Sequence, residues 1–281
     1  MAAQLLQGKI ALVTGNFRWR LLVVLVTVHG PTLSFLSALS LHYTGGGSGI
    51  GRATCRILER EGATVVVCDI KESTAMETVN LFTDPSKHLA LMTDVSKADS
   101  VDATISAVVA KYKSPPTLLV NSAGVAGIGP VKSLKEETFK NCIDVNLKGT
   151  YLMCKAVANA MEKHGLKSGS FVNIASITGI LGLKDNSCYS SSKGGVIAFT
   201  RAVSKELIHD GIRVNSILPG PIETGMVSSD VEIVQRAIRE RTPIGRIGQP
   251  EEVGEVAAFL LSDRSSYMVG AAVEVTGGYV C

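Results

Sequence analysis

The chain has 281 residues, 46% of them hydrophobic, and 28 glycines; this suits one large α/β domain or two small ones with many tight turns. A net charge of +3, with no basic run and no alternation of basic and aromatic residues, argues against a nucleic-acid partner. The six cysteines show neither a C-x-x-C pair nor metal-ligand spacing, so they read as reduced thiols and no metal site is expected.

Met1–Gly8 lacks the basic start and apolar core of a signal peptide, and it holds no arginine of the kind a mitochondrial presequence carries. From there strand-like and helix-like patterns alternate. Lys9–Thr14, Thr64–Asp69, His88–Thr93, Thr117–Asn121, Ser170–Ala175, Arg213–Leu218 and Ala271–Val275 are short, apolar, rich in β-branched residues and bounded by turns. Amphipathic stretches lie between them at Gly49–Glu61, Glu72–Phe82, Lys97–Tyr112, Lys135–His164, Ser190–Ile208 and Pro250–Leu261. Apolar strands separated by helices predict a parallel sheet covered on both faces: a Rossmann-like, doubly wound α/β fold forming a single domain over 1–281.

The stretch Thr44-Gly45-Gly46-Gly47-Ser48-Gly49-Ile50-Gly51 opens a helical pattern. Glycines there let the backbone approach a pyrophosphate, and the helix that follows offers it free N–H groups. Such a cluster alone can equally be a flexible turn. Asp69 ends the next strand after Gly51, where a carboxylate can accept the ribose hydroxyls of an adenine dinucleotide and repel a 2′-phosphate. NAD(H) is therefore expected over NADP(H). Lys71 is the dissenting charge and reads as a solvated helix start.

Further strand ends fall on the same edge of the sheet. Asp94-Val95 closes the third strand, either as an adenine contact or as a helix cap before Lys97. Asn121, Ala123 and Gly124 close the fourth, small enough to leave room for a cofactor. Pro219, Gly220, Ile222 and Thr224 follow the sixth, with the Ile222 backbone placed for a carboxamide.

Tyr189 stands one helical turn before Lys193, and Ser176 lies a short way upstream of the tyrosine. An i,i+4 pair shares one helix face. A lysine ammonium beside a phenol favours the phenolate, and bringing a pKa of about 10 near neutrality takes roughly 4 kcal/mol of differential stabilisation. A phenol so tuned exchanges a proton with a carbonyl or alcohol oxygen. A lone Tyr-x-x-x-Lys is more often a surface pair; the surrounding motifs separate the two readings.

Thr44–Gly51, Asp69, Asn121–Gly124, Asn146, Ser176, Tyr189-x-x-x-Lys193 and Pro219–Gly220, in this order and spacing, resemble the short-chain dehydrogenase/reductase family over almost the whole chain. The resemblance implies that Tyr189 is the general acid/base, that Lys193 tunes it and holds the nicotinamide ribose, and that Ser176 bonds the reacting oxygen. It also implies that Asn146 holds a water in a proton relay, although a helix-interior amide bonding neighbouring backbone is the alternative. Ser176 and Tyr189 would then contact the substrate. Val145–Thr150 and Val273–Gly278 narrow the resemblance to members acting on 3-oxoacyl thioesters, on coenzyme A or acyl carrier protein, and on 17β-hydroxysteroids. Such members imply a homo- or heterotetramer with another chain of the family, built on Lys135–His164 and Ser190–Ile208, in the mitochondrial matrix, with the cytoplasm as alternative.

One departure stands out. In the family the first strand runs directly into the glycine loop; here the segment 16–45 intervenes, and its removal restores Ala-Leu-Val-Thr-Gly-Gly-Gly-Ser-Gly-Ile-Gly. Gly15-Asn16 and Thr44-Gly45 can be encoded by splice donor and acceptor triplets, so a retained or mistranslated intron is one reading. A membrane anchor is another, because Leu21–Leu41 is uncharged, but His29-Gly30-Pro31 breaks the helix at its middle and no membrane span is expected. A lid, or a replacement strand at Ser40–Thr44, is the third. A segment here that blocks the cofactor would make the chain a silent binding or assembly subunit rather than an enzyme. Glu223–Gly248 is expected to cover the substrate, and Arg236, Arg239, Arg241 and Arg246 in it face either a phosphopantetheine carrier or solvent.

Overall fold

In this computed structural model residues 6–14, 46–224, 236 and 239–279 are described. Seven strands, β1 (Ile10–Thr14), β2 (Thr64–Asp69), β3 (Leu89–Met92), β4 (Leu118–Asn121), β5 (Gly169–Ile174), β6 (Ile212–Pro219) and β7 (Ala272–Val275), form one sheet. Their order is β3-β2-β1-β4-β5-β6-β7, and every neighbouring pair is parallel. Parallel neighbours need crossovers, which the helices supply. These are α1 (Gly49–Arg60), α2 (Glu72–Val79), α3 (Ala98–Tyr112), α4 (Glu136–Ile143), α5 (Gly149–Lys163), α6 (Thr178–Leu181), α7 (Ser187–Leu207) and α8 (Pro250–Leu261).

The strands divide their side chains between two cores because successive residues point to opposite faces. Ala11, Val13, Val65, Val67, Leu118, Val120 and Val172 face α1, α2 and α8. Leu12, Val66, Cys68, Leu119 and Phe171 face α3, α5 and α7. Both faces are buried, which is why these strands read as unbroken apolar runs.

Ile10–Thr14 is the strand that enters the sheet, pairing with β2 and β4, so the replacement strand has no place there; Ser40–Thr44 itself lies outside the described residues. Helix α2 is shorter than expected, stopping at Val79 rather than Phe82. The expected helix Lys135–His164 is interrupted: Asp144–Lys148 forms a π-helical turn between α4 and α5. The expected start of α7 at Ser190 moves back to Ser187, so Tyr189 sits within its first turn. Among the described residues no helix is long and apolar enough to cross a membrane, and no cluster fit to hold a metal occurs.

Candidate active site

The carboxyl ends of β1 and β2 are capped by the glycine loop. A Cβ on Gly46 would lie 2.9 Å from the Cys68 carbonyl oxygen and 3.0 Å from that of Val13, and one on Gly47 would lie 2.7 Å from Thr74 Cβ. The backbone fits here only without side chains. Gly47 N donates to Asp69 Oδ2 at 3.3 Å, and Lys71 N donates to Asp69 Oδ1 at 3.1 Å, which anchors a carboxylate that is 2% exposed at the end of β2. Lys71 occupies the N-cap position of α2.

Ser48 is the N-cap of α1 but makes no side-chain cap bond, and the first turn, which holds Gly49, Ile50 and Gly51, has no acidic residue. The N–H groups at this helix start and its positive dipole end are therefore unopposed, the electrostatic setting a pyrophosphate requires. By contrast, α8 closes its own start with a capping box between Gln249 and Glu252. Arg52, the first cation of α1, is turned away onto Thr78 Oγ1 (3.1 Å) and Glu77 (3.0 Å) of α2. Gly45 lies outside the described residues, as does the 16–44 segment.

The other strand ends line the same edge. Asp94 does not cap α3; its Oδ1 accepts from Ser96 N (3.1 Å) and Ser96 Oγ (2.6 Å), and Lys97 pairs with it at 3.3 Å. Burial pushes its carboxyl up, but the Ser96 and Lys97 contacts outweigh it and hold the pKa below the ordinary value. Val95 is buried against Gly149 at the start of α5. Asn121 Nδ2 donates to Asn173 Oδ1 at 2.9 Å, and Ala123 is buried behind it, with Gly124. Pro219 ends β6, Gly220 N bonds the Val275 carbonyl, and Ile222 bridges Gly248. Thr224 Oγ1 lies 3.5 Å from the Ile222 carbonyl. The Glu223–Gly248 segment leaves and returns at one point, since Glu223 N donates to Gly248 O at 2.7 Å; residues 225–235, 237 and 238 are outside the described set.

The chemistry-bearing trio converges from two elements. Ser176 follows β5, and its Oγ accepts from Thr178 N (3.2 Å) and Thr178 Oγ1 (3.0 Å). Both bonds come to the oxygen, which leaves the hydroxyl proton of Ser176 to donate elsewhere. On α7, Lys193 Nζ lies 5.8 Å from the Tyr189 ring centroid and donates to the Ile174 carbonyl at 2.7 Å. That carbonyl is the last of β5, so the lysine is tied to the strand that delivers the serine. Tyr189 is 4% exposed and Lys193 1%. Burial drives the lysine down to about 8, with the Cys142 sulfur opposing the drop.

Asn146 lies in the π-helical turn, fully buried. Its Oδ1 accepts from Val125 N (2.8 Å); its Nδ2 donates to Val125 O (3.0 Å) and Ser192 Oγ (2.9 Å), with Cys142 Sγ at 3.3 Å. The side chain is thus engaged by protein groups distant in sequence, Val125 and Ser192, rather than by the neighbouring backbone of its own helix. Sequence reasoning missed Ser192 and Thr178. Ser192 is the one residue of Ser190-Ser191-Ser192 that is fully buried, and only the helical count from Tyr189 could have singled it out.

A buried phenol beside a buried ammonium, a buried serine whose oxygen accepts from Thr178 and a glycine-lined helix start on one sheet edge could exchange a proton next to a dinucleotide. Comparison with known proteins gives the family. A family profile described as enoyl-(acyl carrier protein) reductase matches residues 45–280. The human (3R)-3-hydroxyacyl-CoA dehydrogenase is 42% identical over 86% of this chain and 95% of its own length.

The chain belongs to the short-chain dehydrogenase/reductase family.

Another of its relatives, the 3-oxoacyl-[acyl-carrier-protein] reductase FabG of Thermotoga maritima, is 39% identical over 84% of this chain and 96% of its own length. A solved short-chain type dehydrogenase/reductase from Mycobacterium marinum superposes with a TM-score of 0.83 at 27% identity, covering 99% of this chain and 98% of the other. The profile match begins at residue 45, where the 16–45 segment ends. Short-chain dehydrogenases/reductases are oxidoreductases that act on CH–OH groups with NAD(P)(H). The described residues fit that group: the close-packed Gly46 and Gly47, the uncapped start of α1 and the buried Asp69 form a cradle for a dinucleotide.

Proposed function

We propose that the protein is an NAD(H)-dependent oxidoreductase that interconverts the keto and hydroxyl forms of 3-oxoacyl thioesters, with 17β-hydroxysteroids as a second substrate class. The observation that carries this reading is the buried Lys193, which shares a helix face with Tyr189 and is bonded to the strand leading to Ser176. The bound nicotinamide supplies or accepts the hydride. In the reductive direction Tyr189 gives its proton to the carbonyl oxygen, and the Lys193 charge stabilises the phenolate left behind. Ser176, with its oxygen held by two Thr178 donors, directs its own proton to the same oxygen as negative charge develops there.

The thioester reading is supported by the names of the human and Thermotoga relatives. Asp69 supports NAD(H), because a buried carboxylate at the ribose position opposes a 2′-phosphate, and Arg52 is held on α2 by Glu77 and Thr78. Both coenzyme A and acyl carrier protein are candidate carriers. The carrier protein has less to grip, since Arg236 pairs with Glu240 and Arg246 with Glu252. Exposed Phe139 and Tyr151 on α4 and α5 support a tetramer, homomeric or mixed with a second chain of the family. The mitochondrial matrix is the proposed location.

The test is turnover of acetoacetyl-CoA, longer 3-oxoacyl thioesters on either carrier, and estradiol, for wild type and Tyr189→Phe. Thioester turnover should be seen and should fall by several orders of magnitude in the variant, with NADH binding retained within a few-fold. Near-wild-type turnover in Tyr189→Phe defeats the mechanism. A second reading rests on the segment 16–45, which separates β1 from the glycine loop in sequence: a silent binding or assembly subunit. It predicts no NADH binding by fluorescence titration.

A further inference from the structure

The reading of Tyr189 and Lys193 as the acid/base pair leaves open what holds their helical turn in place. The first turns of α7 carry both residues, and a shift of about 1 Å in such a pair is enough to cost two orders of magnitude in rate. Three segments meet there: the stretch after β4 that contains Val125, the π-helical turn of Asn146, and α7. Ser192 stands where they join. Its Oγ donates to the Tyr189 carbonyl at 2.8 Å, one turn back on its own helix, and accepts from Asn146 Nδ2 at 2.9 Å. Asn146 in turn holds both main-chain groups of Val125, through Oδ1 at 2.8 Å and Nδ2 at 3.0 Å. Cys142 Sγ lies 3.6 Å from Ser192 Oγ, behind the same amide.

Every member of this group is buried: Ser192, Asn146 and Cys142 each have no exposed surface. An amide in such a place must place both of its donors and its acceptor, and the acceptor on the α7 side is the serine hydroxyl. Its bonds run to Asn146, to the main chain of Tyr189 and to the Cys142 thiol, all of them buried protein groups.

We propose that Ser192 is a positioning residue: its hydroxyl locks the turn of α7 that carries Tyr189 and Lys193 onto Asn146, and through it onto the segment after β4. Without the hydroxyl, Asn146 Nδ2 loses its acceptor on α7, and the π turn and α7 are free to slide apart. The phenol and ammonium then sample misaligned geometries, while the glycine loop, the start of α1 and Asp69, which lie on other elements, stay as they were. The loss therefore falls on kcat and on the pH profile rather than on binding.

The experiment compares wild type, Ser192→Ala, Ser192→Cys, Asn146→Ala, the Ser192→Ala/Asn146→Ala double variant and Tyr189→Phe. Steady-state rates with acetoacetyl-CoA and NADH across pH 6–10 are set beside NADH affinity by fluorescence and thermal melting. For Ser192→Ala, kcat should fall by about 10- to 100-fold with KM and NADH affinity within about threefold, and the pH–rate limb should move by about half a unit or more. The thiol of Ser192→Cys, a weak acceptor of similar size, should restore part of kcat. The double variant should be little worse than Asn146→Ala alone, since the two act as one unit. If Ser192→Ala fails to fold, the Asn146→Ala rates decide: full kcat with an unshifted profile in Asn146→Ala refutes the lock. Wild-type kcat and pH profile in a folded Ser192→Ala refute it directly, as does a rise in KM alone. A fully active Tyr189→Phe would instead remove the acid/base reading on which the proposal rests, so the two failures are distinct.

Discussion

Gly179 lies against the main chain of Lys193. A Cβ at Gly179 would come within 2.7 Å of the Lys193 carbonyl carbon and of Gly194 N, and 3.0 Å from the Lys193 carbonyl oxygen. The short helix α6, which follows Ser176, therefore packs backbone to backbone on the part of α7 that bears the lysine. Gly179→Ala must push α6 and α7 apart, because the obstructing atoms belong to main chain and cannot rotate away. The expected result is a loss of about 1–3 kcal/mol in stability and a fall in kcat of at least about tenfold, read by thermal melting and steady-state kinetics. An unaltered kcat would show that the spacing of Ser176 and Lys193 does not depend on this contact.

Asp69→Ala removes the carboxylate anchored by Gly47 N and Lys71 N. With that like charge gone, the ratio of catalytic efficiencies, NADH over NADPH, should fall by about 10- to 100-fold. A wild-type enzyme that already prefers NADPH contradicts the role given to Asp69.

Lys193 carries the pH prediction for the site. Burial favours its neutral form, so it should titrate near 8 rather than at the ordinary 10.5. The folded state binds fewer protons between these values. The lysine's burial penalty is therefore fully present below about pH 8 and is relieved as pH rises towards 10.5. Lysine Cε resonances followed by NMR should show one signal, absent in Lys193→Ala, with a midpoint near 8. All lysines titrating near 10.5 would contradict it.

A second pH effect lies away from the site. His88 Nδ1 accepts the Val65 N–H at 3.0 Å where β3 begins, so the imidazole stands in for a main-chain acceptor. Burial lowers its pKa, with Glu59 and Asp84 partly opposing. The stability it contributes is complete above its unfolded pKa of about 6.5 and is lost as pH falls below that value. His88→Ala should cost about 1–3 kcal/mol at pH 7.5, the penalty for an orphaned buried N–H, and should flatten the stability profile between pH 7 and 5.5. Denaturant unfolding at several pH values measures both.

Removal of the segment 16–45 gives the fifth prediction. A Cβ built on Gly46 would lie 3.0 Å from the Val13 carbonyl oxygen, so the glycine loop already begins beside the end of β1. The shortened protein should fold, gain about 1–2 kcal/mol from a cheaper loop closure, and bind NADH at least as tightly. Weaker NADH binding would show that the long form makes its own contribution to the cofactor site. In the native source, a tryptic peptide running from Ile10 straight to Arg52 without the segment would show that the working protein lacks it.

Much of this was legible in the sequence, and the reasons are local. Strands such as Thr64–Asp69, with its Val65-Val66-Val67, are buried on both faces, so composition alone outlines them. Ser176, Tyr189 and Lys193 are joined by a short chain path and a helical spacing, which a linear reading can count. The identity of the first strand was not countable in this way. Both Lys9–Thr14 and Ser40–Thr44 lead into a Thr-Gly pair, and only the register Leu12↔Val66 and Leu12↔Leu119 decides it. The break at Asp144–Lys148 was invisible because α4 and α5 are each amphipathic, and a pattern of period 3.6 runs over a single slipped turn. Asn146 gave no sign of its partners, since Val125 and Ser192 are 21 and 46 residues away.

That slipped turn places a constraint on how the helix can change. A π turn holds one more residue than the α-helical turn it replaces, so α4 and α5 are out of phase by roughly 100° about a common axis. Deleting one residue from 144–148 would restore a regular ladder of main-chain bonds and a stiffer rod. It would also rotate Cys142 and everything before it relative to Thr150 and everything after, so that Asn146 no longer reaches both Val125 and Ser192. Here the most regular helix and the working helix are different objects, and selection for stability alone would be expected to erase the extra residue.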